Sequence, residues 1–220
     1  MKHALFGLLL VGCASGPKYQ INDNVLAQVP IEEKQGILTA QHEQTVAKEE
    51  MRKAEADLIQ CDHELDLAEN ELKQTKLQIE NAEIQQKANS YDLNKKSTAD
   101  RELEIAKLAK KTANAKVTYY EKKRKWLKAV HEAGEAKLVS AQSTTELEKA
   151  RLVQAKGMKP YEGFNVGVFE SENFDRQGKF QAARMDADKR KGDVDAAEGE
   201  WRRLDGEYQQ ARSATPKPTP

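Results

Sequence analysis

An all-α fold is what this sequence predicts: an elongated coiled coil, built as a long-helix hairpin with a third long helix. Three observations carry that reading. Between Gly36 and Gly134 there is neither a glycine nor a proline, so nothing in that stretch punctuates a helix. Apolar residues recur there at alternating steps of three and four, the spacing of a coiled-coil seam. Hydrophobic residues make up 38% of the chain against 33% charged. A globular core draws on nearer half apolar residues, so the deficit points to narrow apolar seams rather than a thick interior.

The N-terminus opens with Lys2 and His3, followed by an apolar run from Ala4 to Val11 interrupted only by Gly7. That run is too short to span a bilayer, which takes about 20 residues, but it suits a signal h-region. It ends in Leu10-Val11-Gly12-Cys13, then Ala14-Ser15-Gly16-Pro17. All four positions resemble the lipobox of bacterial lipoproteins: Leu, a small or β-branched residue, Gly or Ala, then Cys. The resemblance implies cleavage between Gly12 and Cys13, removing residues 1–12 as a signal peptide. It also implies a thioether-linked diacylglyceryl group on Cys13, with a further acyl chain such as palmitate on the new amine. A thiolate is the side chain nucleophilic enough for that alkylation, and several acyl chains together anchor stably. In this family an Asp after the Cys favours retention in the inner membrane. Ala14 stands there instead, which implies the outer membrane, with the body in the periplasm. Residues 13–30 carry Gly16, Pro17, Asn22, Asp23, Asn24 and Pro30 without a helical period, and they read as a lipidated N-terminus and flexible tether.

Helix 1 is expected over 31–89, with Pro30 at its start and Glu32 and Glu33 favouring the positive end of the dipole. Its seam runs from Ile37 to Ala82 and includes Met51, Ala54, Leu58, Cys61, Leu65, Ala68, Leu72 and Ile79. One column of that seam is large and the other mostly small, so a close approach of helix axes is expected. The polar stretch from Asn89 to Asn94 breaks the phase, and Ser97, Thr98 and Asp100 read as a fresh cap for helix 2 over 98–156. Helix 2 has two apolar stripes, one through Ala113, Tyr120 and Leu127 and one through Ala115, Tyr119 and Trp126. Two stripes mean two neighbours, so this helix is expected to lie centrally. Gly157, Pro160, Gly163 and Gly167 mark a glycine-rich aromatic loop at 157–170. Helix 3 follows over 171–212, with Phe180, Ala187, Val194, Trp201 and Tyr208 at heptad spacing. Residues 213–220 hold three prolines and read as a disordered tail.

At 89–97 the choice lies between a hairpin and one continuous rod, and charge favours the hairpin. Residues 31–89 hold 14 acidic against 7 basic groups, whereas 101–128 hold 3 against 10. Folding back lays the basic stretch beside the acidic one, and flanking charges of opposite sign select helix partners.

Formal net charge is +0, which argues against nucleic-acid binding, since that needs a basic surplus to release counterions. With Cys13 and Cys61 as the only cysteines, no disulfide framework or four-ligand zinc site is expected, and no metal or cofactor beyond the covalent lipid. His3 leaves with the signal. Cys61 and His63 are two residues apart and point to different helix faces. His42 and His131 stand without a partner motif. No nucleophile triad, phosphate loop or zinc-protease motif occurs, and the carboxylates are expected on helix surfaces away from any concave pocket. No catalytic residue and no small-molecule substrate are therefore expected. Cys61 reads as a small core filler, or, if helix 1 pairs with its own copy, as the site of a covalent dimer. Residues 160–169 read as a contact loop or as a cap on the end of the bundle. The function expected is that of a membrane-anchored scaffold, spacer or envelope-complex subunit, working through protein partners or self-association. The alternatives are a hairpin adaptor of a secretion or efflux channel and a holdase-like chaperone.

Overall fold

In a computed structural model of the chain, residues 16–214 are described. The segment expected as a signal peptide, 1–12 with Gly12 at its cleavage site, and Cys13, the residue expected to carry lipid, lie outside them. Among the described residues the structure is helical without strands, and three long α-helices dominate: α1 over Gln35–Ala88, α2 over Leu93–Ala155 and α3 over Val166–Ser213. Short 3-10 turns at Asp23–Leu26 and Ile31–Lys34 precede them. The chain divides into two compact units. The first joins the chain up to Lys53 with His131–Arg184, and the second joins Ala54–Val130 with the residues from Met185 onward.

The chain turns back between α1 and α2 without glycine or proline. Asn89 donates its backbone N–H to Gln85 O and its side-chain amide to the same oxygen. Asp92 N–H then closes the turn on Asn89 O at 3.2 Å. The Asp92 carboxylate accepts from Lys95 N–H at 3.2 Å and so caps α2. The cap expected at Ser97–Asp100 is thus displaced: α2 starts at Leu93, because Asp92 supplies an acceptor one turn earlier. In the second unit the two helices run antiparallel, with Glu64 paired to Lys123 at 2.9 Å and Glu71 to Lys116 at 2.6 Å.

α2 ends in a Schellman motif. Gly157 takes φ +64°, its N–H reaches Gln154 O at 2.9 Å, and Met158 N–H reaches Val153 O at 3.0 Å. α3 begins at Val166 rather than 171, because the Asn165 side chain accepts from Gly167 N–H at 2.8 Å. Phe169, expected in the loop, is therefore helical. At the far end α3 extends through Ser213, so the tail expected from 213 begins as helix.

The tether reading of 13–30 needs correction over its described part, from residue 16 onward. Ile21, Leu26 and Val29 are buried and join Ile37, Leu147, Ala150, Val153, Val166 and Phe169 in the core of the first unit. Ile21, Leu26 and Val29, with Tyr19 and Val25 packed against the same core, suffice to dock it, since a fully buried apolar side chain is worth about 1.5–3 kcal/mol. The helical periodicity that would have flagged them is absent, because the segment is a strap with only one short 3-10 turn.

Candidate functional site

In the first unit the strap crosses α2 and α3 and is pinned by carboxylates. Glu172 of α3 accepts the backbone N–H of Lys18 at 2.8 Å and of Tyr19 at 3.2 Å. Glu146 of α2 accepts Ile21 N–H at 2.7 Å and, through its other oxygen, Lys149 Nζ at 2.9 Å. Lys149 also reaches Asp23 at 2.7 Å. Burial alone would lower the Lys149 pKa, but its hydrogen bonds to Asp23 and Glu146 outweigh that and hold it above its ordinary value. α2 therefore has three neighbours in this unit: α1, α3 and the strap.

The loop after α2 leans on the same core. Tyr161 meets Phe164 edge-on at 5.6 Å, Phe164 lies 6.1 Å from Phe169, and Phe169 lies 5.8 Å from Tyr19. Of the two roles weighed for 160–169, this packing supplies the cap: Phe164 packs against the core.

The seam of α1 divides cleanly by column. Ala54, Cys61 and Ala68 are buried, whereas Met51, Leu58, Leu65, Leu72 and Ile79 are half-buried. In the first unit a β-carbon added at Gly134 of α2 would lie 3.3 Å from Met51 Cα, so glycine lets the two helices approach closely. Cys61 has no exposed surface, and its thiol lies 3.7 Å from Tyr120 O. Burial pushes that thiol up to about 11, with the neighbouring Lys123 opposing. α2 of the same chain thus covers the face on which a Cys61–Cys61 dimer would form, and the core-filler reading of Cys61 stands. His42 and His63 are exposed, and His131 is half-buried 3.9 Å from Glu135.

Among the described residues no group of three or more His, Cys, Asp and Glu could hold a metal ion, and no helix is long and apolar enough to cross a membrane. The structure does hold concave features that the periodicity did not announce. An open groove of about 620 Å3 in the first unit runs between Val46 of α1, Ala141 and Thr144 of α2, and Phe174 and Phe180 of α3. Phe174 is 77% exposed at its edge. Such a groove forms where three helix faces diverge, which no single helix's pattern reveals. In the second unit Tyr119 stacks on Trp201 at 5.4 Å, with Lys116 over the Trp201 ring and Lys123 over both tyrosines. Comparison with known proteins returns no matching family model, no matching curated protein and no matching solved structure.

Proposed function

We propose that the chain is a non-enzymatic lipoprotein of a bacterial envelope, held to the outer membrane by acyl chains on Cys13. Its helices form a periplasmic scaffold, a spacer or a subunit of an envelope complex. The observation that carries this reading is Leu10-Val11-Gly12-Cys13 directly behind the apolar run Ala4 to Val11. The pinned strap gives the anchor a mechanical consequence. Four residues separate Cys13 from Lys18, whose backbone N–H is held by Glu172. Five steps along an extended chain reach about 17 Å, so the first unit would sit close to the lipid surface rather than on a long tether. Membrane fractionation of a Cys13→Ala variant tests the anchor. The variant is expected in the soluble fraction, and one that sediments with membranes as the parent does would sink the proposal.

The hairpin adaptor is the second reading, supported by the turn between α1 and α2. Tyr91 there is fully exposed and Leu93 is 85% exposed, with Leu77 and Ile84 also exposed nearby on α1. Apolar side chains gathered at an exposed turn suit docking on a partner protein. A photocrosslinker placed at Tyr91 should then capture a channel protein in intact cells. Capture of nothing would leave the scaffold reading alone.

A further inference from the structure

In the first unit the strap runs beside α2 in the same direction as that helix. Gly16 lies beside Gln142, where an added β-carbon would stand 3.9 Å from Gln142 Oε1. Further on, Ile21 is held by Glu146, Asp23 by Lys149 and Glu33 by Lys156. Each contact advances along both segments. The strap therefore starts beside the middle of the unit's stretch of α2, residues 131–155, and not at either end of it.

Lengths decide what that placement allows. Cys13 stands three residues before Gly16, a reach of about 10 Å at most. From the level of Gln142, the loop end of the unit begins near Lys156 and the other end lies at His131. At about 1.5 Å of rise per residue these lie roughly 21 and 17 Å away. Acyl chains on Cys13 could bring neither end down onto a bilayer. The flank opposite the strap is also out of reach. On α3 Glu172 holds the strap while Phe174 lines the groove, and on α2 Glu146 holds the strap while Thr144 lines the groove. Two residues apart on a helix point to nearly opposite sides, and half-way around a helix about 10–12 Å across is roughly 17 Å. Only the flank that carries the strap lies within the span of three residues.

We propose that the strap flank is the membrane-facing surface of the first unit, which lies side-on against phospholipid headgroups. This placement rests on acylation of Cys13 and adds which surface meets the lipid. The chemistry of the flank suits headgroups. Gln20, Asn22, Asn24 and Gln28 are exposed on the strap and uncharged, and the charged groups that pin it are paired, Asp23 with Lys149 and Glu172 with Arg176. Docking there strips water from no unpaired carboxylate among those pins, which would be costly. Two consequences follow from the geometry. The strap is held between the lipid and the core that Ile21, Leu26 and Val29 enter, so attachment shields it. The groove between Val46, Phe174 and Phe180 is turned to the aqueous side.

Fluorescence quenching on the mature chain, extracted from bacterial membranes, tests the proposal. The chain is reconstituted in vesicles of phosphatidylethanolamine and phosphatidylglycerol doped with lipid that carries a nitroxide on its headgroup. In a Cys61→Ala background one fluorophore at a time is attached through Asn24→Cys on the strap, Gln177→Cys at the groove or Lys159→Cys in the loop, all three positions being exposed. The probe at 24 should lose most of its intensity to the nitroxide, while those at 177 and 159 keep theirs. A bright probe at 24 beside a quenched one at 177 or 159 overturns the proposal. Three probes quenched alike, or none quenched in a chain that floats with the vesicles, do so too. Flotation and intact mass keep the two readings apart. A chain that floats and carries acyl mass retains the anchor whichever probe is quenched, whereas one without acyl mass ends both.

Discussion

Cys61 illustrates how a single buried side chain sets chemistry and packing together. Its thiol is fully covered and its pKa is pushed up to about 11 by burial. The thiolate, which is the reactive form, is therefore scarce in the native protein near neutral pH. A maleimide or aromatic disulfide reagent at pH 8 should label Cys61 slowly in buffer and quickly in denaturant, read by mass spectrometry. Fast native labelling would mean that the seam opens. The same shift has a pH consequence. The unfolded thiol ionises near its ordinary value of 9.0, so stability is retained below that value and falls as pH rises from there through about 11. Lys149 acts in the same direction. Its folded pKa is raised by Asp23 and Glu146, so its contribution is present below its ordinary value and lost as pH rises through the folded one. Thermal melts are expected to drop above pH 9 in the wild type, and by less in a Cys61→Ala variant. Replacing Lys149 by Met should loosen the strap, costing about 1–3 kcal/mol through the unpaired partner it leaves in a half-buried site. Limited proteolysis between Lys18 and Lys34 should then accelerate.

At the level of elements, the close approach of α1 and α2 in the first unit depends on Gly134. A leucine there would meet the Met51 backbone, and overpacking of this kind costs about 1–3 kcal/mol. A Gly134→Leu chain should melt several degrees lower while keeping its helical signal, and an unchanged melting temperature would contradict the contact. The turn makes a separate prediction. Asp92→Ala removes the cap of α2 and should cost about 1 kcal/mol, seen as a lower denaturant midpoint. α1 was legible in the heptad column of Ala54, Cys61 and Ala68 and the larger column beside it, and α2 in its stripes through Ala113, Tyr120 and Leu127 and through Ala115, Tyr119 and Trp126, because burial repeats with the period of the helix. Their ends were less legible. Asp92 and Asn165 act as caps only when the preceding backbone delivers their side chains to a free N–H, and residue type alone does not say which of several polar residues does so.

For the whole molecule, charge arrangement matters more than charge total. A net of +0 conceals an acidic α1 and a basic α2, which pair within the chain through Glu64–Lys123 and Glu71–Lys116 in the second unit. Removing residues up to Pro30 should destabilise the first unit, because Ile21, Leu26 and Val29 leave its core. The expected readout is earlier loss of hydrogen-exchange protection in 131–184 than in 54–130. Equal protection in both would mean that the strap adds nothing to stability.

The sequence by itself determined that the chain is helical, that its helices meet along thin seams, and that α2 has neighbours on two sides. These follow from local periodicity, which one helix expresses without knowing its partners. It also carries the tetrad Leu10-Val11-Gly12-Cys13, which resembles a lipobox and on which the proposed anchor rests. Only the tertiary structure decided that 18–30 is a docked strap and that α2 covers Cys61. Each of these depends on which residues distant in the chain come within a few ångströms of each other, and no spacing along the chain encodes that distance.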